Sequence, residues 1–110
     1  MIIVLVTTPK NEGEKIAIKI LEKRLAACIN IKNVKSIYWW ENEIKEDEED
    51  LLIIKTREDL FEMLKDFIKS IHPYKIPEIV AIKVKDVNVE YLNWLESETS
   101  IKKIRNVGES

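Results

Sequence analysis

The chain has one cysteine, one histidine, two glycines, three prolines and no glutamine in 110 residues. A single thiol, Cys28, cannot close an internal disulfide, and this fits a reducing cytoplasm. With glycine only at Gly13 and Gly108, no phosphate-cradling glycine loop can be assembled. No recognisable Ser/His/Asp or Cys/His motif supports nucleophilic catalysis. The longest apolar runs, such as 51–54, are far too short to span a bilayer. Met1 leads straight into an apolar stretch without a basic flank or a small-residue cleavage site, so no signal peptide is expected. A net charge of −2 gives no electrostatic reason to expect nucleic acid.

What is present is 45% hydrophobic and 35% charged, which excludes disorder and low complexity and leaves one globular domain over 1–110. Abundant charges of both signs, with frequent isoleucine and lysine, point toward a heat-adapted protein. Residues 2–8 form a β-branched apolar run closed by Pro9, a buried strand. Asn11 is placed to cap a first helix, with Glu14 three residues on. Ile16, Ala17, Ile20, Leu21 and Leu25 supply that helix's apolar stripe. A second strand runs over 26–40, with an irregularity expected near Asn33. Glu41-Asn42-Glu43 reads as a hairpin tip because asparagine tolerates positive φ. The chain returns over 44–54, polar first and apolar last.

A second amphipathic helix over 57–71 carries Leu60, Leu64, Phe67, Ile68 and Ile71, and Pro73 and Pro77 then fix a rigid loop. A fourth strand occupies 78–84. Asn88 is placed to cap a short third helix with Tyr91, Leu92, Trp94 and Leu95, and the polar tail from Thr99 is expected to fray. This order predicts an α+β, ferredoxin-like βαββαβ domain. It has an antiparallel sheet, both long helices on one face, an extended hairpin between the second and third strands, and a short C-terminal helix.

A sheet shielded on one face should alternate apolar and polar residues, and these strands do not. Ile3 and Leu5 oppose Ile2, Val4 and Val6, while Leu51 and Ile53 oppose Leu52 and Ile54. Leaving about ten such side chains half exposed would forgo roughly 1–2 kcal/mol each. Self-association is therefore expected, with Tyr38, Trp39 and Trp40 as subunit-interface anchors.

Four stretches have a recognisable order and spacing: Arg24-Leu25-Ala26-Ala27-Cys28-Ile29-Asn30-Ile31; Ser36-Ile37-Tyr38-Trp39-Trp40-Glu41; Glu48-Glu49 ahead of Leu51-Leu52-Ile53-Ile54-Lys55-Thr56; and His72-Pro73-Tyr74 ahead of Ile76-Pro77-Glu78. Tyr91-Leu92-Asn93-Trp94 is a weaker fifth. Through them the chain resembles the CutA divalent-cation-tolerance family over nearly its whole length. The resemblance implies a homotrimer with its sheets facing inward, a link to copper and other divalent metals, kinship with PII-type signalling proteins, and no established reaction. Asn42 stands where the family often has glycine, and Asp50 where an apolar residue is common.

The residues offer several chemistries. His72 and Cys28 are a suitable imidazole and thiolate for copper or zinc, but one of each is short of a closed site. Cys28 also fits an inert buried thiol, and His72 a favourable helix C-terminus. Glu49 stands out in the acidic run 46–50 because the family commonly retains glutamate there, although such runs are usually solvated. Arg24, placed on the first helix's apolar stripe, calls for a carboxylate, with Glu49 and Glu78 as candidates. With Lys55, Tyr74 and Glu78, it would line an anionic-ligand cleft between subunits if the PII analogy holds. The expectation is a non-enzymatic cytoplasmic homotrimer binding copper or a related divalent ion at His72, Cys28 and Glu49, with no obligatory cofactor. No membrane or nucleic-acid partner is expected. The alternatives are a PII-like sensor of a small anion and a trimeric protein-anchoring scaffold.

Overall fold

The structure is a computed structural model and describes residues 1–104. Strand β1 (Ile2–Pro9) leads through helix α1 (Gly13–Glu22) to the hairpin β2 (Cys28–Trp40) and β3 (Glu43–Thr56). Helix α2 (Phe61–Ile71), strand β4 (Ile79–Lys83) and helix α3 (Val89–Glu98) follow. The sheet is antiparallel throughout, in the order β2-β3-β1-β4, which is the expected ferredoxin-like arrangement. Among the described residues no helix is long and apolar enough to cross a membrane.

The inner face behaves as the period of two requires. Val4, Val6, Leu52 and Ile54 are fully buried against Ile16, Ile20, Leu64 and Ile68 of α1 and α2. On the other face Ile3, Leu5, Leu51 and Ile53 are only half-buried, and Val80 and Ile82 remain 48% exposed. Helix α3 lies against β3 at its Lys55 end, where Tyr91 meets Cys28, so most of that face has no cover within one chain.

Several local expectations change. The β2–β3 ladder runs one-for-one from Cys28↔Lys55 to Trp40↔Glu43, so no irregularity interrupts it at Asn33. The turn is two residues long, Glu41 and Asn42, both at positive φ (49° and 63°), the handedness that matches strand twist. Asn11 does not cap α1: it adopts φ 71° in the preceding turn, and the Gly13 N–H instead donates to the Asp50 carboxylate at 3.0 Å. Asp50 is thereby buried at a helix N-terminus, where a carboxylate is favoured, and its pairing with Thr8 and Asn33 is regular. Asn88 holds the N-cap position of α3 in extended backbone, but its side chain makes no capping bond.

Helix α1 ends at Glu22, so Leu25 reaches the core from the following turn, while Leu21 is 37% exposed. The Arg24 N–H bonds the Leu21 carbonyl and the Leu25 N–H the Ile20 carbonyl, a Schellman closure. Arg24 sits at its left-handed position (φ 60°), where glycine is usual. It is therefore off the helical stripe. Thr99 is fully buried rather than frayed, its hydroxyl donating to the Leu95 carbonyl at 2.8 Å. A helical turn over 101–104 follows, and the rest of the expected tail lies outside the described residues.

Candidate functional site

Pro73 sets the geometry of the site. A residue before proline is driven out of the α region, and His72 takes φ −80°, ψ 135°, ending α2 and turning its ring toward β1. Its Nε2 lies 2.8 Å from the Thr7 carbonyl oxygen, and its Nδ1 lies 3.0 Å from the Tyr74 nitrogen. A carbonyl can only accept and a backbone N–H only donate, so the ring carries its proton on Nε2 and accepts on Nδ1. Both nitrogens are committed. The ring also stacks obliquely on Tyr74, with centroids 4.8 Å apart.

Tyr74, held in this way, donates its hydroxyl to Glu49 Oε2 at 2.8 Å. Burial, and then this bond to a carboxylate, push the Tyr74 phenol well above its ordinary range. Glu49 belongs to β3 on the helix-free side of the sheet and is only 7% exposed. Among the described residues no donor meets its second oxygen. It faces a cavity of about 720 Å³ walled also by Thr7, Tyr38, Trp40, Ile76 and Glu78. Tyr38 is fixed by donating its hydroxyl to Asp47 on the neighbouring strand.

The predicted residues divide between two places. His72, Glu49, Tyr74 and Glu78 gather around this cavity, together with Tyr38 and Trp40. Cys28 pairs with Lys55, six residues along β3 from Glu49, which at strand rise is about 20 Å away. Arg24 bonds neither Glu49 nor Glu78: its guanidinium donates to Glu98 Oε2 at 2.7 Å. Lys55 donates to Asn30. Within one chain, then, Cys28 does not join His72 and Glu49, and Arg24 and Lys55 do not join Tyr74 and Glu78. Among the described residues no three His, Cys, Asp or Glu side chains converge as a metal site would require.

Tyr38 and Trp40, expected with Trp39 at a subunit interface, also wall this cavity within one chain, a role the sequence reading did not assign them. Their alternation with Glu49 across the β2–β3 ladder carried the signal, since Ser36, Tyr38 and Trp40 share one face. Trp39 projects from the other and is 72% exposed.

The model of a protein family described as CutA1 divalent ion tolerance protein matches residues 2–98. A divalent-cation tolerance protein CutA from Pyrococcus horikoshii is 51% identical over 100 residues, which cover 90% of this chain and 98% of that one. Protein CutA from Homo sapiens is 44% identical over 96 residues, covering 86% of this chain and 54% of its own length. Among solved structures, CutA1 from Pyrococcus horikoshii superposes with a TM-score of 0.87 at 48% identity, covering 91% of this chain and 99% of that one. The PII-like protein CutA from Nostoc sp. PCC 7120 in apo form gives 0.88 at 36% identity, covering 92% and 99%. Names among the relatives place a rice protein in the chloroplast and one from Archaeoglobus fulgidus in the periplasm.

Proposed function

The chain belongs to the CutA1 divalent ion tolerance family, and from that premise we propose that it serves divalent-cation tolerance as a non-enzymatic cytoplasmic homotrimer that takes a divalent ion, copper or a related one, into the Glu49 cavity. The observation carrying this reading is a nearly buried carboxylate on the cavity wall, with one oxygen held by Tyr74 and, among the described residues, no donor on the other. Such an oxygen gains most from a cation. His72 acts here as a positioning residue: its nitrogens are spent on Thr7 and Tyr74, and through Tyr74 it fixes Glu49. Carboxylate oxygens alone favour hard ions, and copper selectivity demands a soft donor. Cys28 can join Glu49 only across a boundary between copies.

Self-association is supported by the uncovered side of the sheet, where Val80 and Ile82 lie exposed beside Ile3, Leu5, Leu51 and Ile53. The test is anaerobic titration with Cu(I), Cu(II) and Zn(II) against competing chelators. Glu49→Gln should weaken binding at least about tenfold, the scale on which one charged ligand matters. Cys28→Ser should weaken copper but spare harder ions. Unchanged affinity in Glu49→Gln would remove the reading.

A PII-like sensory role is the second reading, favoured by the likeness to the Nostoc protein. Its small-anion cleft, drawn from Arg24, Lys55, Tyr74 and Glu78, belongs between subunits: within one chain Arg24 and Lys55 lie apart from Tyr74 and Glu78, so only the meeting of copies could assemble it. A thermal-shift screen separates the two, because a native-state ligand raises the melting temperature.

A further inference from the structure

The loop after α2 is fastened to the rest of the protein through one residue. Among the described residues no backbone–backbone bond ties 73–78 to another segment, and the two hydrogen bonds that anchor this stretch both belong to Tyr74. Its N–H donates to His72 Nδ1 at 3.0 Å and its hydroxyl to Glu49 Oε2 at 2.8 Å. The first of these bonds needs a neutral ring. Nε2 already carries the proton given to the Thr7 carbonyl, so a second proton goes to Nδ1 and turns the acceptor of the Tyr74 N–H into a donor. Two donors then face each other, and that bond is lost. The Nε2–H bond to Thr7 survives and strengthens as a charge-assisted one. A cation is also favoured at the C-terminus of α2, where the His72 N–H closes on the Ile68 carbonyl. The ring keeps its seat, and only the loop is let go.

We propose that His72 is an acid-operated catch on this loop: protonating the ring releases Tyr74, and with it the phenol that steadies Glu49. Histidine is the side chain whose charge changes under mildly acidic conditions. Its surroundings leave the ring as the responsive part. From β1 it meets the uncharged Thr7 carbonyl, and from the loop the Tyr74 ring, whose phenol burial and the bond to Glu49 keep protonated well beyond neutrality. Glu49 of β3 stands behind that phenol, Lys69 is exposed in the last turn of α2, and Lys75 and Glu78 border the cavity. Among the described residues no carboxylate meets either ring nitrogen, so protonation brings no new ion pair that would hold the loop in place. The catch works by hydrogen-bond polarity and not by what the cavity holds, so it stands apart from the metal reading.

The chain has one histidine, so long-range proton–nitrogen NMR reads this ring without ambiguity. The measurement is made on the full chain with excess chelator, so the metal reading stands or falls separately. At neutral pH the ring proton should sit on Nε2. As pH falls, the Tyr74 amide resonance should shift with the same midpoint as the ring nitrogens. Its hydrogen exchange should quicken about fivefold or more beyond the intrinsic effect of pH, the scale of one hydrogen bond. His72→Asn puts a side-chain oxygen near the place of Nδ1, an acceptor that does not titrate, so its Tyr74 amide should hold steady over the same range. Glu49→Gln keeps an acceptor for the phenol and removes the nearby acid, and its Tyr74 amide should still follow the ring. A Tyr74 amide indifferent to the ring's titration, a ring that stays neutral until acid unfolds the protein, or an equal response in His72→Asn overturns the inference. A response that disappears in Glu49→Gln belongs to that acid and overturns it equally. Should His72→Asn not fold, the wild type and Glu49→Gln decide between them.

Discussion

Arg24 and Asp50 both stand where another residue type is the easier choice, and each is explained by a bond the sequence does not announce. A left-handed conformation costs a side-chain-bearing residue about 1 kcal/mol relative to glycine, while a solvent-screened ion pair such as Arg24–Glu98 returns little. Arg24→Gly should therefore melt at or slightly above wild type, whereas Arg24→Ala, which keeps the strain and loses the pair, should melt at or slightly below it. Asp50→Ala removes the acceptor for the first α1 N–H from a buried position and should cost about 1–2 kcal/mol. Gly13→Ala tests the same contact from the other side. Its Cβ would lie 2.8 Å from the Asp50 Cβ, so the usual helical gain of alanine should be reversed.

The tyrosines give a pH signature at the same scale. Tyr38, Tyr74 and Tyr91 all have phenol pKa values above 10.0: Tyr38 through its bond to Asp47, Tyr74 and Tyr91 chiefly through burial. A raised phenol pKa stabilises the fold fully below the unfolded value and loses that contribution as pH climbs through the folded one. Ultraviolet titration of the native protein should thus show less phenolate at pH 10 than the unfolded chain, which would be about half ionised. Acid acts on Glu98. Its carboxyl lies below the usual range because Lys103 and then Arg24 bond it, so its contribution holds above the ordinary carboxylate value and fades as pH falls.

At the scale of elements, the long hairpin decides most. Thirteen residues of β2 pair with β3 without a slip, and the two-residue turn fixes that register. Glu41 is the less suited of the pair to positive φ. Substituting Asn-Gly for Glu41-Asn42 should stabilise the hairpin by up to about 1 kcal/mol, read as a higher denaturation midpoint. The register also puts Glu49 beside the apolar half of β3 and aligns Tyr38 and Trp40 with it on one face. Pro73 contributes the opposite wall. By forcing His72 out of the helix it aims the ring at Thr7 and leaves Tyr74 to reach Glu49.

The whole molecule is organised around a sheet with one covered face and one largely bare. Ile82→Glu alters only the bare face and leaves the α1/α2 core intact. On the trimer reading, the wild-type protein should sediment at three chain masses, and Ile82→Glu should lower that mass while keeping a native far-ultraviolet spectrum. A wild-type species stable at one chain mass would remove the need for partners.

Element order, sheet faces and the two-sided apolar pattern were legible in the sequence, because periods of 2 and 3.6 express local geometry that every residue obeys. The residues His72, Tyr74 and Glu49 were legible as candidates because they stand in the stretches that resemble the family, and because His72 is the chain's one imidazole. Their distances from one another were not. Asp50 capping Gly13 across 37 residues, Arg24 meeting Glu98 across 74, and Cys28 lying a sheet's length from Glu49 all depend on how strands and helices stack. Local periodicity says which way a side chain points, while only the packed sheet decides what it meets there.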